Sequence, residues 1–207
     1  VQLINDKIRK SCKTKLEFIP GFVYCFNNSK SDYKIPETIE LDYNFGYLLG
    51  AYTAEGCMTN NQISISNNDD NYLQPIYRIC EKFNLTTKKY VHENKNKDNW
   101  KSSDIRIYNT VLSRILESLC GKLSHNKFIH ETIIFSNKEC LNGFLDAYFG
   151  GDGTIGRRKT KNGDYKYQNI SATSTSHQLL EDLNIILKNL NIVGNIRKFK
   201  KIIKNNI

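Results

Sequence analysis

An internal repeat is the feature that most constrains what this 207-residue chain can fold into. A shift of 97 residues superposes two stretches in which small residues recur every four positions, with an acid–glycine pair at the end of each. The first stretch contains Gly46, Gly50, Ala54 and Glu55-Gly56, and the second contains Gly143, Ala147, Gly151 and Asp152-Gly153. Residues 35–39 recur as residues 129–133, at an offset of 94 residues. Self-similarity of this kind indicates a duplicated unit, so we predict two repeats, residues 41–139 and 140–207, after a basic segment of residues 1–40.

The two repeats are predicted to share one order of secondary-structure elements. In the first repeat, hydrophobic periodicity and capping residues predict helices over 44–55, 68–83 and 110–119, and strands over 62–66, 88–92 and 104–108. In the second repeat they predict helices over 141–151 and 176–190, a hairpin within 154–173 and a basic strand over 195–204. The glycine after each acid is expected to form a left-handed helix cap. A final strand and helix are expected to be missing from the second repeat, which ends earlier than the first.

The small residues predict that two helices pack against each other at close range. Residues four apart lie on one helix face, and a glycine inside a helix costs roughly 0.5–1 kcal/mol relative to alanine. Direct approach of two helix backbones offsets that cost, whereas a merely glycine-rich core helix would not need the same register twice. The expected interface residues are Gly46, Gly50 and Ala54 in one helix and Gly143, Ala147 and Gly151 in the other.

Glu55 and Asp152 stand at the unfavourable end of these two helices. A helix C-terminus carries partial negative charge, so an acid there is disfavoured by a few tenths to about 1 kcal/mol. If the helices run side by side in parallel, the two carboxylates also repel each other. A divalent cation between them would offset both penalties, whereas two solvated acids at separate helix ends are the alternative.

Residues 48–56 (LLGAYTAEG) and 145–153 (LDAYFGGDG) resemble the two motifs of the LAGLIDADG homing endonucleases. The second copy is similar to the dodecapeptide form found in the endonuclease domains of inteins, and the resemblance extends over the chain from about Lys34 onward. It implies an α+β fold of two αββαββα half-domains in a pseudo-two-fold arrangement, with the second half incomplete at its C-terminus. It also implies a monomer, since both halves lie in one chain, whose two sheets straddle double-stranded DNA in the major groove.

The same resemblance implies a mechanism and the residues that carry it. Glu55 and Asp152 would be catalytic acids that bind Mg²⁺ or Mn²⁺ while one phosphodiester is hydrolysed in each DNA strand, leaving 3′ overhangs. Glu55 departs from the aspartate that is usual in the first motif. Lys127, in a stretch 127–130 that resembles K-x-I-P, would polarise the attacking water or neutralise the phosphate. Lys34 is a weaker candidate for the equivalent role, and a surface lysine is the alternative for Lys127.

DNA contacts are expected from strand residues of both halves. Lysine and arginine would mostly hold phosphates, while glutamine, serine and arginine could read base edges. A solvated basic loop is the alternative for any one position of the second-half hairpin, whose Asn-Gly-Asp turn fits a hairpin. The candidates are Gln62, Ser64, Ser66 and Arg106 in the first half and Arg157, Arg158, Lys159, Lys161, Lys166 and Gln168 in the second.

Composition agrees with a nucleic-acid partner and with an intracellular protein. Thirty Lys and Arg against 21 Asp and Glu give a net charge of +9, which favours a polyanionic partner, although AT-rich coding bias would also enrich lysine. The six cysteines show no C-x-x-C spacing, so we expect reduced, mostly buried thiols and no zinc site. Without a signal peptide or an apolar run of ~18 residues, we expect a cytoplasmic or nuclear protein rather than a secreted or membrane protein.

Two other readings stay open at this stage. A catalytically inactive DNA-binding or RNA-binding relative on the same scaffold, similar to an intron maturase, would also show the repeat, although such proteins often lose the paired acids. A decayed homing element would do so too. A metabolic enzyme is disfavoured, because the chain has no nucleotide-binding glycine loop, no H-E-x-x-H and no nucleophile elbow. No self-splicing chemistry is visible, since the sequence starts at Val1 rather than Cys or Ser and ends Asn205-Asn206-Ile207 rather than His-Asn.

Overall fold

The computed structural model describes residues 16–25, 34–59, 61–94, 100–163 and 165–198. The helices are α1 Tyr43–Glu55, α2 Asp70–Lys82, α3 Thr110–Cys120, α4 Glu131–Ile134, α5 Lys138–Asp152 and α6 His177–Asn189. The strands are β1 Leu16–Ile19, β2 Phe22–Cys25, β3 Lys34–Pro36, β4 Gly56–Met58, β5 Gln62–Ser66, β6 Thr86–Asn94, β7 Trp100–Tyr108, β8 Gly153–Lys159 and β9 Tyr165–Ala172. Mixed helices and antiparallel sheets make this an α+β fold, as predicted. No helix within these ranges is long and apolar enough to cross a membrane.

The described residues form three antiparallel sheets. β1-β2-β3 form a small sheet ahead of the first repeat, in the segment that the sequence marked only as basic, and it contacts α3. The first repeat contributes a four-stranded sheet in the order β4-β5-β7-β6, and the second contributes the hairpin β8-β9. Among the described cysteines, Cys80, Cys120 and Cys140 are buried free thiols, and Cys57 is an exposed one.

Helix α1 lies at the centre of the molecule. Its N-terminus is capped by Asp42, whose carboxylate accepts a 2.8 Å hydrogen bond from the backbone N–H of Phe45. Residues 45–53 are all buried, and a helix that is buried all round needs apolar or small side chains on every face. Helix α5 starts in the same way, with the Asn137 side chain accepting from the N–H of Cys140 at 2.9 Å.

Helices α1 and α5 pack backbone against backbone through their glycines. A Cβ added to Gly46 would lie 2.0 Å from the carbonyl oxygen of Cys140, and one added to Gly50 would lie 2.1 Å from that of Phe144. From the other side, a Cβ on Gly143 would lie 2.0 Å from the carbonyl oxygen of Tyr43. Because the contacts advance along both helices together, α1 and α5 run parallel and their C-termini lie at the same end.

The sheet of the first repeat divides its residues cleanly between two faces. Ile63 and Ile65 of β5 are fully buried, together with Ile105 and Ile107 of β7, and β5 contacts α1 and α3. The residues that alternate with them point away from the core, because successive side chains of a strand lie on opposite faces. The outward face therefore carries Gln62, Ser64, Ser66, Asp104, Arg106 and Tyr108.

The prediction of left-handed glycine caps is wrong at both motif helices. Gly56 has φ −93° and ψ 139°, and Gly153 has φ −80° and ψ 145°, so both are extended. Each glycine is required by space instead. A Cβ on Gly56 would lie 2.4 Å from the carbonyl oxygen of Tyr52, and one on Gly153 would lie 2.0 Å from that of Phe149. The chain thus passes directly from helix into strand, with each glycine N–H donating to that same carbonyl.

The predicted basic strand over 195–204 is wrong for the part that the structure describes. Residues 195–198 are not in a strand, and residues 199–204 lie outside the described residues. The first repeat shows the reason: its corresponding strand, β6, pairs with β7 and not with β5. Within the described part of the second repeat, β8 and β9 are the strands, and neither occupies the place of β7.

Candidate active site

Glu55 and Asp152 meet at the common end of the two parallel helices. Each is the last residue of its helix, α1 or α5. A Cβ placed on Gly151 would lie 2.9 Å from Cγ of Glu55 and 2.9 Å from Cβ of Ala54. Small residues in the last turn of α5 therefore let the two acidic helix ends come together.

The surroundings of both acids favour their neutral forms. Burial, and then the charge of Asp152, raises the pKa of Glu55 above its ordinary value. Burial also raises the pKa of Asp152, and Lys127 partly opposes this. Both helix C-termini add partial negative charge at the same place. The helix ends therefore hold excess negative charge that a cation would relieve.

Lys127 is the cation that the fold brings to this place. It is buried, and its ammonium donates to the carbonyl oxygens of Tyr52 at 2.5 Å and Gly56 at 3.1 Å. The same ammonium lies 3.5 Å from the centroid of the Tyr52 ring. Burial lowers the pKa of Lys127 to about 8, against the nearby groups of Cys120, Cys57 and Asp152, which raise it. Lys127 thus lies under the C-terminus of α1, although it belongs to the segment that leads into the second repeat.

Two residues of the second repeat hold the segment that carries Lys127. The hydroxyl of Ser176 donates to the carbonyl oxygen of Lys127 at 2.6 Å, and the backbone N–H of Ile129 donates to the buried carboxylate of Asp182 at 2.8 Å. From the sequence, Ser176 was predicted only as the start of a helix, and Asp182 was given no role. One feature of the sequence could have predicted its role: Asp182 lies on the apolar side of an amphipathic helix, and a buried acid requires a partner.

A cleft of about 440 Å³ opens beside these groups. Its walls combine the end of α1, the start of β4, the segment before α4 and the loop after β9. The lining residues include Thr53, Gly56, Cys57, Lys127, Asp152 and Ser174. Lys34, the weaker lysine candidate, lies instead over the ring of Phe22, with its ammonium 4.9 Å from the ring centroid.

The donor set at the helix ends fits a hard divalent cation. Within the described residues, no group of three or more His, Cys, Asp or Glu side chains could enclose a metal ion. Mg²⁺ does not require such a cage, because it keeps several waters and is usually held by one or two carboxylates together with phosphate oxygens. Two converging carboxylates beside an open cleft match that preference.

The first-half candidates for DNA contact share the outward face of one sheet. Ser64 is the register partner of Arg106, and Gln62 and Ser66 flank Ser64 on the same face. Gln62 and Ser64 are partly exposed and Ser66 is exposed.

The second-half candidates do not share one face. Lys166 is the register partner of Arg158, whereas Arg157 and Lys159 alternate with Arg158 along β8. A β-bulge between Gly156 and Arg157 leaves Gln168 as the extra residue of β9, because a bulge sets two residues of one strand against one of its partner. The prediction that Lys166 and Gln168 lie on one face stays a prediction, because the side chain of Gln168 lies outside the described part of the structure. Lys161 is exposed in the turn of the hairpin.

Tyr72 joins the two repeats next to the acids and escaped the sequence analysis. Its hydroxyl donates to the carbonyl oxygen of Ala147 at 2.9 Å, and its backbone carbonyl accepts from the hydroxyl of Tyr47 at 3.0 Å. A Cβ on Gly151 would lie 2.9 Å from the Tyr72 hydroxyl. Nothing in the sequence distinguishes Tyr72 from any other apolar residue on the buried face of α2.

Comparison with known proteins assigns the family. The family model described as LAGLIDADG-like domain matches residues 42–132 and 139–207, so the chain belongs to this family. The solved homing endonuclease I-WcaI, bound to its DNA recognition sequence, superposes with a TM-score of 0.54 at 15% identity, over 80% of this chain and 75% of that one. That likeness shows the fold, and the resemblance inferred from the two motifs is confirmed.

The curated relatives are much longer proteins. DNA-directed RNA polymerase subunit Rpo1C of Methanocaldococcus jannaschii is 38% identical over 165 residues, which are 80% of this chain and 18% of that protein. A DNA polymerase of Thermococcus litoralis is 30% identical over 126 residues, which are 56% of this chain and 7% of that protein. The chain therefore spans less than a fifth of the length of these relatives.

Proposed function

We propose that this chain is a metal-dependent homing endonuclease that hydrolyses one phosphodiester in each strand of a specific DNA duplex. The observation that carries the proposal is the meeting of Glu55 and Asp152 at the ends of two parallel helices, beside a cleft that also contains Lys127. Structural stability alone favours other residues at a helix C-terminus. Family membership supports the same activity.

The relatives support an origin as an inserted element, with residues 41–139 and 140–207 as its two repeats. They include an RNA polymerase subunit, DNA polymerases and an elongation factor, and the shared segment is between 7% and 18% of each. A segment common to proteins with such different activities does not carry any of those activities. We infer that it is the endonuclease part of an intein.

Glu55 and Asp152 would hold the Mg²⁺ or Mn²⁺ ion. When bound, the ion supplies a more acidic water and neutralises charge on the phosphate oxygens. The remaining work belongs to the protein. Lys127, fixed by Tyr52 and Gly56, places a positive charge in the cleft for the scissile phosphate or the attacking water. Glu55 reaches one methylene further than an aspartate would, so the two halves present their acids differently.

The DNA would lie across the outward face of the first-half sheet and against the second-half hairpin. Arginine and lysine would hold phosphates, and glutamine, serine and arginine would reach base edges. The proposed contact residues are Gln62, Ser64, Ser66 and Arg106 in β5 and β7, and Arg157, Arg158, Lys159, Lys161, Lys166 and Gln168 in the second-half hairpin. Because α1 and α5 already pair within one chain, we propose that the protein binds its site as a monomer.

The test is cleavage of a pool of duplex DNA with a randomised central region, incubated with the full chain in Mg²⁺. Cut molecules are recovered by ligation to an adaptor and sequenced. We expect the wild type to enrich one sequence, with breaks in both strands that require the metal. Asp152→Asn should abolish cutting while retaining binding to the enriched duplex. The matched control is Asp146→Asn, since Asp146 is an exposed acid of the same helix that accepts a hydrogen bond from Tyr43 at 2.8 Å.

Each other outcome has a defined meaning. Sequence-specific binding without cutting by the wild type would overturn the nuclease and leave a binding protein on this scaffold. Equal loss in Asp152→Asn and Asp146→Asn would refute a special role for Asp152. Nicking of a single strand by the wild type would support a nuclease but contradict cleavage of both strands. Glu55→Asp would then be the first variant to test.

A further inference from the structure

Asp104 is a buried acid on the outward face of the first-half sheet. It lies in β7 next to Arg106, and only 6% of its side chain is exposed. It is covered by Arg106 and His92, whose own side chains are 29% and 51% exposed. Arg106 and Ser64 of this face were predicted from the sequence to contact DNA, whereas Asp104 was not.

An acid at this place is costly in two ways. A buried carboxylate loses its hydration, which is unfavourable unless hydrogen bonds replace it. Negative charge on a face that meets DNA also repels the phosphates. The sheet does not need an acid at this position in order to form, because Ile105 and Ile107 supply the buried side of this strand. The carboxylate therefore has a role on the outward side.

Asp104 contacts Arg106 and Ser64, the two residues beside it that are candidates for contact with base edges. Its Oδ2 accepts from Nε of Arg106 at 2.7 Å and from the hydroxyl of Ser64 at 3.0 Å. Its Oδ1 contacts Nε2 of His92. Arg106 is also held on one flat side, because its guanidinium carbon lies 4.0 Å from the centroid of the Tyr90 ring. The hydrogen bond from Arg106 to Asp104 uses Nε, which leaves the two terminal nitrogens of the guanidinium out of this bond.

We propose that Asp104 is a positioning residue for DNA sequence reading, which holds Arg106 and Ser64 in the orientation that contacts base edges. The inference rests on the proposed function. A guanidinium fixed by a carboxylate and a tyrosine ring has already lost its rotamer freedom, so less entropy is lost when DNA binds. A fixed guanidinium also discriminates between bases by geometry, whereas a mobile one would turn to any nearby phosphate.

The experiment compares sequence preference with general affinity. The wild type and Asp104→Asn are each allowed to bind the randomised duplex pool in Ca²⁺, and the bound DNA is sequenced. We expect Asp104→Asn to lose the preference at a small set of base pairs, with about a tenfold fall in the ratio of affinities for selected and unselected duplex. Its affinity for unselected duplex should be equal or higher, because a negative charge has been removed. Arg106→Ala should lose the preference at a subset of the same base pairs, namely those that Arg106 reads.

Two further variants make the result specific. Asp70→Asn removes the same charge from an exposed acid of α2, which pairs with Lys89, and should keep every base preference. Asp104→Glu retains the charge but displaces the carboxylate, so it should lose the base preference as Asp104→Asn does. If thermal unfolding shows that Asp104→Asn does not fold, Asp104→Glu takes its place in the experiment.

The inference would be overturned if folded Asp104→Asn selected the same sequence as the wild type. It would also be overturned if Asp104→Asn further reduced the preference in an Arg106→Ala/Ser64→Ala background, since Asp104 would then act through neither of the two side chains that it holds. A wild type that binds no duplex would instead refute the proposed function, so the two failures are distinguishable.

Discussion

Lys127 shows how one side chain can connect the two repeats chemically. It precedes the second motif helix in the chain, yet its ammonium donates to the carbonyl oxygen of Tyr52, in the last turn of the first motif helix, and to that of Gly56, which follows this helix. Its backbone is held by Ser176 of the second repeat. Its position in the cleft therefore depends on both halves at once.

Replacing Lys127 with methionine should separate activity from stability. We expect cleavage to fall by about 10²-fold or more, as when a preorganised electrostatic group is removed from an active site. The melting temperature should change little, because methionine fills similar space and burying an ammonium is itself unfavourable. Cleavage rates and calorimetry measure the two effects. Lys138→Met, at the exposed start of α5, is the control and should leave cleavage unchanged; a large loss of stability in Lys127→Met would contradict this account.

Asp104 should also affect stability in acid. Burial alone would raise the pKa of Asp104, but hydrogen bonds from Arg106, His92 and Ser64 outweigh burial and hold it below its ordinary value of 3.8. A carboxyl whose pKa is lowered by folding stabilises the fold above its unfolded pKa, and this stabilisation is lost as the pH falls through the folded pKa. Asp104→Asn should therefore lower the free energy of unfolding at about pH 6 and much less at about pH 3. Urea titrations across this range measure it, and an equal effect at both ends would contradict the lowered pKa.

At the scale of elements, the contact between α1 and α5 decides whether the acids meet. It is the most extensive contact between any two described elements. It depends on glycine because neighbouring backbone atoms occupy the space where a side chain would begin. A displacement of these helices would separate Glu55 from Asp152 without altering either acid.

Gly50→Ala should therefore be far more harmful than alanine is in an ordinary helix. Its Cβ would lie 2.1 Å from the Phe144 carbonyl oxygen, so one helix must move. We expect a loss of about 1–3 kcal/mol or more in the free energy of unfolding, despite the gain in helix propensity. The control is Gly150→Ala, whose Cβ would meet only the ring edge of Tyr72 at 3.2 Å. Urea unfolding of both variants tests this, and similar losses would contradict backbone contact as the cause.

Comparison of the two repeats shows that β6, β7 and α3 accompany burial of isoleucines in the first repeat. Ile63 of β5 is fully buried, whereas Ile170, its counterpart in β9, is 66% exposed. Ile155, the register partner of Ile170, is 52% exposed. Within the described residues, the second hairpin thus lacks the layer that covers its counterpart.

At the scale of the whole molecule, net charge should dominate DNA affinity. The chain carries +9, and each phosphate contact releases counterions, so the logarithm of the binding constant falls linearly with the logarithm of salt concentration. For about six contacts, affinity for an unselected duplex should fall about 10³-fold between roughly 50 and 200 mM salt. Fluorescence anisotropy with a labelled duplex measures the slope. A slope near zero would indicate that the lysine content reflects coding bias rather than a binding surface.

Much of the architecture was accessible from the repeat and from local patterns. The small residues that recur every four positions predicted paired helices, since a glycine that recurs in register in both helices needs a compensating contact. Asp42, Asp69 and Gly121 marked helix boundaries because capping depends on a few adjacent residues. Strands β5, β6 and β7 followed from their alternation, although β6 and β7 extend further than their most regular parts and the short strand β4 was not predicted.

The sequence by itself determined the family, the duplication and the candidate acids, because these depend on residue types at fixed spacings. Tertiary structure decided the rest. Lys127 lies under α1, Asp104 holds Arg106, and Tyr72 joins the repeats through contacts between residues far apart in the chain, for which local pattern carries no signal. The extended glycines and the β-bulge also depend on what lies opposite them. Geometry across the molecule, not spacing along it, determines which side chains can act together.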